Sequence, residues 1–135
     1  MATSIFVNIP VKDLEKSKSF YTALGYSINP DYTNENAACV VISDVIYLMI
    51  LVEPFFKTFT RKELADATKT TEAIICISVD SREAVDTMVK NALANGGSAS
   101  NDASDMVEMG MYFHSFQDPD GHLWEVMYSA NNGGM

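Results

Sequence analysis

Phe116-Gln-Asp-Pro-Asp-Gly-His-Leu-Trp-Glu-Val-Met127 is the stretch on which the reading of the fold turns. Pro119 presets φ for the second position of a type I turn, Asp118 can accept a bond from the backbone two residues on, and Gly121 takes an exit position that often needs positive φ. Asp118 to Gly121 is therefore expected to be the tip of a β-hairpin. In the strand that follows, the period of two puts Trp124, Val126 and Tyr128 on one face and Leu123, Glu125 and Met127 on the other. Glu125 thus lies among apolar neighbours. A carboxylate there must be paired, hydrogen-bonded, or held beside a cavity that contains solvent or ligand.

Working back from the hairpin, strands are expected at Met109 to Gln117 and near Ser98 to Asn101. Gly96-Gly97 stops a helix that Ser81 caps and that runs to about Asn95, and Ala73 to Asp80 alternates as a strand. The same order occurs earlier in the chain. Ile5 to Val11 reads as a strand, with Val7, Ile9 and Val11 on one face and Phe6, Asn8 and Pro10 on the other; Pro10 cannot donate to a ladder, so the strand ends there or lies at an edge. Asp13 caps a helix whose Leu14, Ser17, Phe20, Tyr21 and Leu24 recur at helical spacing, and Gly25 stops it. Strands follow at Tyr26 to Pro30, Ala37 to Ser43 and Val45 to Val52, the last two joined tightly at Ser43-Asp44. Laid over each other without a gap, Val7, Ile9 and Val11 fall on Ile75, Ile77 and Val79, and Asp13 falls on Ser81. Such a repeat of architecture is the signature of duplication.

The expected class is therefore α+β, with two βαβββ modules in one domain spanning 1–135. Module one covers about 4–52, a connector about 53–71, and module two about 72–130. The connector opens with Phe55, Phe56 and Phe59 and continues as a polar helical stretch in which Thr60 and Glu63 have capping-box spacing. A functional lid and a plain linker packed by its Phe residues are both open readings.

Composition bounds the partners. The chain has 135 residues, a formal net charge of −9, and nine scattered Lys and Arg. Without a basic patch to neutralise phosphates, nucleic acid is not expected as a partner. An acidic shell serves solubility and also favours cationic ligands. The longest apolar run, Val45 to Val52, is far below the roughly 18 residues of a spanning helix, and no basic segment followed by an apolar one opens the chain. A cytoplasmic protein without membrane contact is expected. Cys39 and Cys76 stand apart inside β-branched runs, the pattern of reduced, buried thiols.

The two βαβββ modules, the FxDPDGxxxE ending at Glu125, and the opening strand running into Val11-Lys-Asp-Leu-Glu-Lys-Ser-Lys-Ser-Phe-Tyr21 resemble the vicinal oxygen chelate superfamily. That group includes lactoylglutathione lyases, extradiol dioxygenases, fosfomycin-resistance enzymes and bleomycin-binding proteins. The resemblance covers Ile5 to Tyr128. It implies that each module's mixed sheet curls around a cavity with its helix on the outer face, and that modules pair within a chain or across a two-fold axis. A homodimer is expected on that ground. In the metal enzymes of the family a divalent ion is held by residues of both modules, and the resemblance carries those positions onto Phe6, Ile74, Met49 and Glu125. A shift of two residues preserves strand parity and substitutes Asn8 and Cys76. One carboxylate with two hydrocarbons and a thioether is a poor ligand set for an oxygen- and nitrogen-seeking ion. No metal ligands and no cofactor are therefore expected, and a divalent metal is disfavoured.

The expected function is metal-independent binding of a small apolar or aromatic molecule, with a cationic one within range of the acidic charge. Phe6, Asn8, Met49, Phe55, Phe56, Ile74, Gln117 and Glu125 are the candidate ligand-binding residues. Whether the chain is an enzyme stays open. The alternative is a lyase or dioxygenase of the glyoxalase type with a remodelled metal site, or with Glu125 and His114 as base and acid. His114 shares strand parity with Tyr112 and Phe116, so a structural role on the core side is its competing reading. Glu125 likewise has two open readings, serving a ligand or accepting bonds across the sheet.

Overall fold

The computed structural model describes residues 3–106 and 109–130, with only the backbone of Met106 described. The fold is α+β, and the chain divides into two compact units between Ala65 and Asp66, inside the connector. Each unit contains one mixed sheet.

Unit one runs β1 (Ile5–Val11), α1 (Leu14–Ala23), β2 (Ser27–Asn29), a 3₁₀ turn at Pro30–Tyr32, β3 (Ala37–Val41), β4 (Ile46–Val52) and α2 (Glu53–Lys57). Its sheet order is β1-β4-β3-β2. The first pair is parallel, with Val7 opposite Leu48 and Ile9 opposite Ile50, and the others are antiparallel. A parallel pair needs a crossover between its strands, and the stretch from α1 to β3 supplies it. Asp13 caps α1 by accepting a bond from the Lys16 backbone N–H at 3.1 Å. The helix buries Leu14, Ser17, Phe20 and Tyr21. These pack toward β2, β3 and β4, where Ile9, Val40, Leu48 and Ile50 are buried as well. Phe20 and Tyr21 meet edge to face at 5.0 Å, and truncating Phe20 to Ala is expected to cost about 3–5 kcal/mol.

Unit two runs β5 (Ile74–Ser78), α3 (Arg82–Ala94), β6 (Ser98–Ala99), β7 (Ser104–Met106), β8 (Met111–Gln117) and β9 (Leu123–Ser129). Its order is β5-β9-β8-β6, with β7 also on β8, and β5 runs parallel to β9 as β1 does to β4. Ser81 caps α3 through the Ala84 backbone N–H at 3.0 Å. Val85, Val89 and Ala92 recur at helical spacing and are buried toward β8 and β9, where Phe116 and Trp124 lie parallel at 6.3 Å.

The hairpin tip is closed by bonds that the sequence specifies. Gly121 N–H donates to the Asp118 carbonyl at 2.9 Å, and the buried Asp118 side chain accepts from the backbone N–H groups of Asp120 and His122 at 3.0 and 2.9 Å. Gly121 has φ +91°, and a Cβ there would lie 2.8 Å from the Ala67 carbonyl oxygen. Glycine is required twice at that position, by conformation and by the approach of the connector backbone.

Three expectations need correction. Cys76, expected as a buried thiol, is exposed, because it lies on the edge strand β5 on the face that α3 does not cover. The helix in the connector is Glu53–Lys57, started by Pro54 in its first turn, and the stretch after Thr60 is not helical. Thr60 Oγ1 accepts from the Lys62 N–H at 3.1 Å, a local turn in place of a helix cap, and Leu64 alone supplies too little apolar face to hold a helix down. Module two also contains β7, which was not expected. From Ala99 to Ser104 the chain advances five residues while its partners on β8 advance only three, from Phe116 to Phe113. β6 and β7 are thus one ladder strand interrupted by two extra residues, and the Ser115 hydroxyl fills the gap by accepting from the Asn101 N–H at 2.9 Å. Among the described residues no helix is long and apolar enough to cross a membrane.

Candidate functional sheet faces

Each sheet has one face against its helix and one turned away, and strand parity decides which side chains occupy which. In unit one the parallel register sets Phe6 opposite Tyr47 and Asn8 opposite Met49, all on the face away from α1. Phe6 stacks on Tyr47 with centroids 4.6 Å apart and planes 13° from parallel, yet remains 50 % exposed. A half-exposed stacked pair is a ready platform for a further flat ring. Asn8 turns its amide back to the Phe6 carbonyl at 3.1 Å. Phe55 and Phe56 are half-buried in α2, which packs against β1 and β4, and Phe55 meets Phe59 edge to face at 5.2 Å. Unit one therefore sets Phe6, Asn8 and Met49 on one face, while Phe55 and Phe56 stand at the end of β4 in α2. Cys39, opposite Met49, is fully buried, and burial pushes its thiol pKa up.

In unit two the corresponding face carries Ile74, Cys76, Leu123, Glu125, Met127 and Gln117. Glu125 sits in a row between Cys76 on β5 and Ser115 on β8. It is half-buried, and among the described residues it makes no hydrogen bond or ion pair. Its charge is felt all the same: the Cys76 thiol, on a residue that is exposed overall, is pushed up first by partial desolvation against the sheet and then by the Glu125 carboxylate. Gln117 is engaged elsewhere, donating to the Ala99 carbonyl at 3.1 Å and the Ser98 hydroxyl at 3.4 Å, so it ties β6 to β8.

His114 lies across the sheet from this face. Its register partner is Val126, and it points toward α3, where its Nδ1 is 3.5 Å from an Asp86 carboxylate oxygen and has no hydrogen bond of its own. That same oxygen accepts from the Tyr112 hydroxyl at 2.6 Å, and the Arg82 guanidinium lies 4.4 Å over the Tyr112 ring while pairing with Asp105. An acid–base pair of Glu125 and His114 needs both groups on one face. The register separates them, because Glu125 and His114 differ in parity across the β8–β9 ladder.

Sequence reasoning did not single out Tyr47 or Ser115. Tyr47 has the parity of Met49, a signal that was available, but its contact with Phe6 follows only from the parallel register. The donor set that the family resemblance assigns to a divalent ion does not fit one. Phe6 and Ile74 offer hydrocarbon, Met49 a thioether, and Glu125 the one oxygen ligand. Among the described residues no group of three or more His, Cys, Asp and Glu side chains is arranged to hold a metal ion.

A family described as bleomycin resistance protein-like N-terminal matches residues 3–43, the segment that holds β1, α1, β2 and β3. Among solved structures, a hypothetical protein from S. aureus is 28 % identical with a TM-score of 0.79, over 95 % of this chain and 94 % of its own. A glyoxalase-related enzyme from Fulvimarina pelagi has a TM-score of 0.80 at 18 % identity, covering 100 % and 96 % of the two chains. The bleomycin resistance determinant encoded on the transposon Tn5 is similar at a TM-score of 0.62 and 16 % identity, over 96 % and 99 %. No curated protein matches the sequence. Two βαβββ units, each with its first and last strands parallel, are the architecture that these solved structures share with the chain. In fold the chain is similar to proteins of the vicinal oxygen chelate superfamily, and its first module resembles the bleomycin resistance protein-like N-terminal family.

Proposed function

We propose that the protein binds a small apolar or aromatic molecule on its helix-free sheet faces without a metal ion, and that it does so as a cytoplasmic homodimer. The observation that carries this reading is the Phe6–Tyr47 stack. Where a metal enzyme of this fold needs a ligating side chain, an aromatic ring stands half exposed on a second ring. Met49 beside it adds a soft, adaptable surface. A further ring laid on Phe6 gains stacking of about 0.5–1.5 kcal/mol beyond the area it buries.

The test uses 2-naphthol as a neutral flat probe, titrated calorimetrically into the full-length protein and into Phe6→Ala. Because half of Phe6 is already in water, the variant should stay folded while binding weakens by about tenfold or more, equivalent to about 1.4 kcal/mol. Binding that survives unchanged in both Phe6→Ala and Met49→Ala would remove the platform as the site. Plasma mass spectrometry of protein purified without chelator is the companion measurement. A stoichiometric divalent ion that disappears in Glu125→Gln would replace this proposal with the alternative, a lyase or dioxygenase of the glyoxalase type. Glu125, half-buried and without a hydrogen bond or ion pair among the described residues, favours that alternative as a general base, but it then needs an acid other than His114.

A further inference from the structure

We infer that the β5 side of Glu125 in unit two is a recognition site for an apolar organic cation with a planar nitrogen fork, such as an amidinium or guanidinium. The inference rests on the reading that the sheet faces, rather than a metal, are the binding surface, and it adds the ligand's charge and the side from which it enters.

The two units differ sharply in charge. Residues 1–65 carry six basic and seven acidic side chains, whereas residues 66–135 carry three and eleven, so −8 of the net −9 belongs to the second unit. A field of that sign raises the local concentration of cations around unit two. Such a field is no site by itself; Glu125 makes it local. Its carboxylate is half-buried, lacks any hydrogen bond or ion pair among the described residues, and no Lys or Arg occurs in β5, β8 or β9. A half-buried carboxylate without a protein partner keeps acceptor positions that a bound cation can pair with.

The approach is one-sided. On the β8 side, Ser115 is 3 % exposed and its hydroxyl already exchanges bonds with Asn101. On the β5 side, Cys76 is exposed and Ile74, diagonal to Glu125, is 54 % exposed. A ligand arriving over β5 thus meets hydrocarbon first and the carboxylate beside it. A hydrated divalent ion is badly served by this surface, since one carboxylate replaces few of its waters and the apolar rim replaces none. A weakly hydrated planar cation is well served: both carboxylate oxygens are free to accept a parallel pair of N–H bonds, and its apolar body covers Ile74.

The probe is benzamidine, with benzamide as its uncharged near-isostere, titrated into isotopically labelled full-length protein while backbone amide shifts are followed. Benzamidine should shift Ile74, Cys76 and Glu125, bind at least about tenfold more tightly than benzamide, and weaken as ionic strength rises. Glu125→Gln, nearly identical in shape, should bring benzamidine down to the benzamide level with the rest of the spectrum unchanged, which also shows the variant is folded. Equal binding of benzamide, or binding indifferent to Glu125→Gln, overturns the cation site while leaving neutral binding on the sheet faces intact. Saturation of the same amides by Mg²⁺ or Zn²⁺ at stoichiometric concentration overturns both. No shift at these residues with benzamidine overturns the site alone, since 2-naphthol reports on unit one independently.

Discussion

Replacing Gly121 with Ala places a methyl carbon 2.8 Å from the Ala67 carbonyl oxygen, 2.9 Å from its carbon and 3.0 Å from the Thr68 nitrogen, at a backbone φ of +91°. The conformational part, an L-residue in a left-handed region, costs about 1–2 kcal/mol. The contact part depends on whether the connector can retreat. Asp66 holds that segment by accepting from the Thr68 N–H and hydroxyl at 3.0 and 2.6 Å, and its carbonyl accepts from the Lys69 and Thr70 N–H groups, each at 3.0 Å. Moving Ala67 away strains one or two of these bonds, at about 1 kcal/mol each. The expected loss is therefore about 2–4 kcal/mol, read as a lower urea midpoint at unchanged slope. The single tryptophan, Trp124, is buried in the same unit three residues from the substitution and reports the transition by fluorescence. Gly121→Asn separates the two parts, because Asn tolerates positive φ but still carries a Cβ. It should recover the conformational part and remain about 1–2 kcal/mol below the parent. A Gly121→Ala loss under about 1 kcal/mol would refute the close approach of connector and turn.

The Tyr26 phenol is pushed up to about 12 by burial. Its neutral form is thus favoured by folding: the associated stability is complete below pH 10 and is lost as pH rises through about 12, a change of about 2–3 kcal/mol that Tyr26→Phe should abolish in alkaline denaturation curves. Iodoacetamide should modify Cys76 in the native protein and Cys39 only after unfolding, since one is exposed and the other buried; Glu125→Gln should speed the Cys76 reaction by removing the charge that holds its thiol up, and an unchanged rate would contradict that coupling. For the homodimer, light scattering at micromolar concentration should return twice the chain mass of 14.9 kDa, and a monomer mass would dismiss it.

Features written in local chemistry were legible from sequence. Asp13 and Ser81 are short polar caps set before apolar positions at helical spacing, and both cap as expected. The Asp118–Gly121 turn, the parity of Glu125 against Trp124, and the core-side parity of His114 all follow from turn geometry and the two-residue period of strands. What escaped was non-local. The stack of Phe6 on Tyr47 depends on a parallel register that no neighbouring residue sets, and Asp86 reaches Tyr112 from a helix 26 positions away. The connector misled because Thr60 and Glu63 have a helix-start spacing without the apolar face that would make a helix worth forming. At the candidate faces, sequence parity placed Phe6, Asn8 and Met49 together, whereas Glu125 and His114, read as a candidate acid–base pair, are separated by the β8–β9 register. Exposure is where the sequence misled: Cys76 reads as buried because of its β-branched neighbours, yet it is exposed on the open β5 side of Glu125, opposite the closed β8 side.

The interruption between β6 and β7 bears on how such β-rich strands stay apart in a crowded solution. Runs such as Ile46–Val52 and Ile74–Ser78 are rich in residues that favour intermolecular strand pairing. The sheet ends farthest along the ladder from β1 and β5 offer little to template it. In unit one that end is β2, three residues long, and in unit two it is split into pieces of two and three residues by the loop that Ser115 secures. At those two ends a foreign strand would find at most a few consecutive backbone groups to bond before the register broke. Ser115→Ala should then leave the native sheet standing while loosening this guard, making the protein aggregate sooner under heating even where its equilibrium stability changes little.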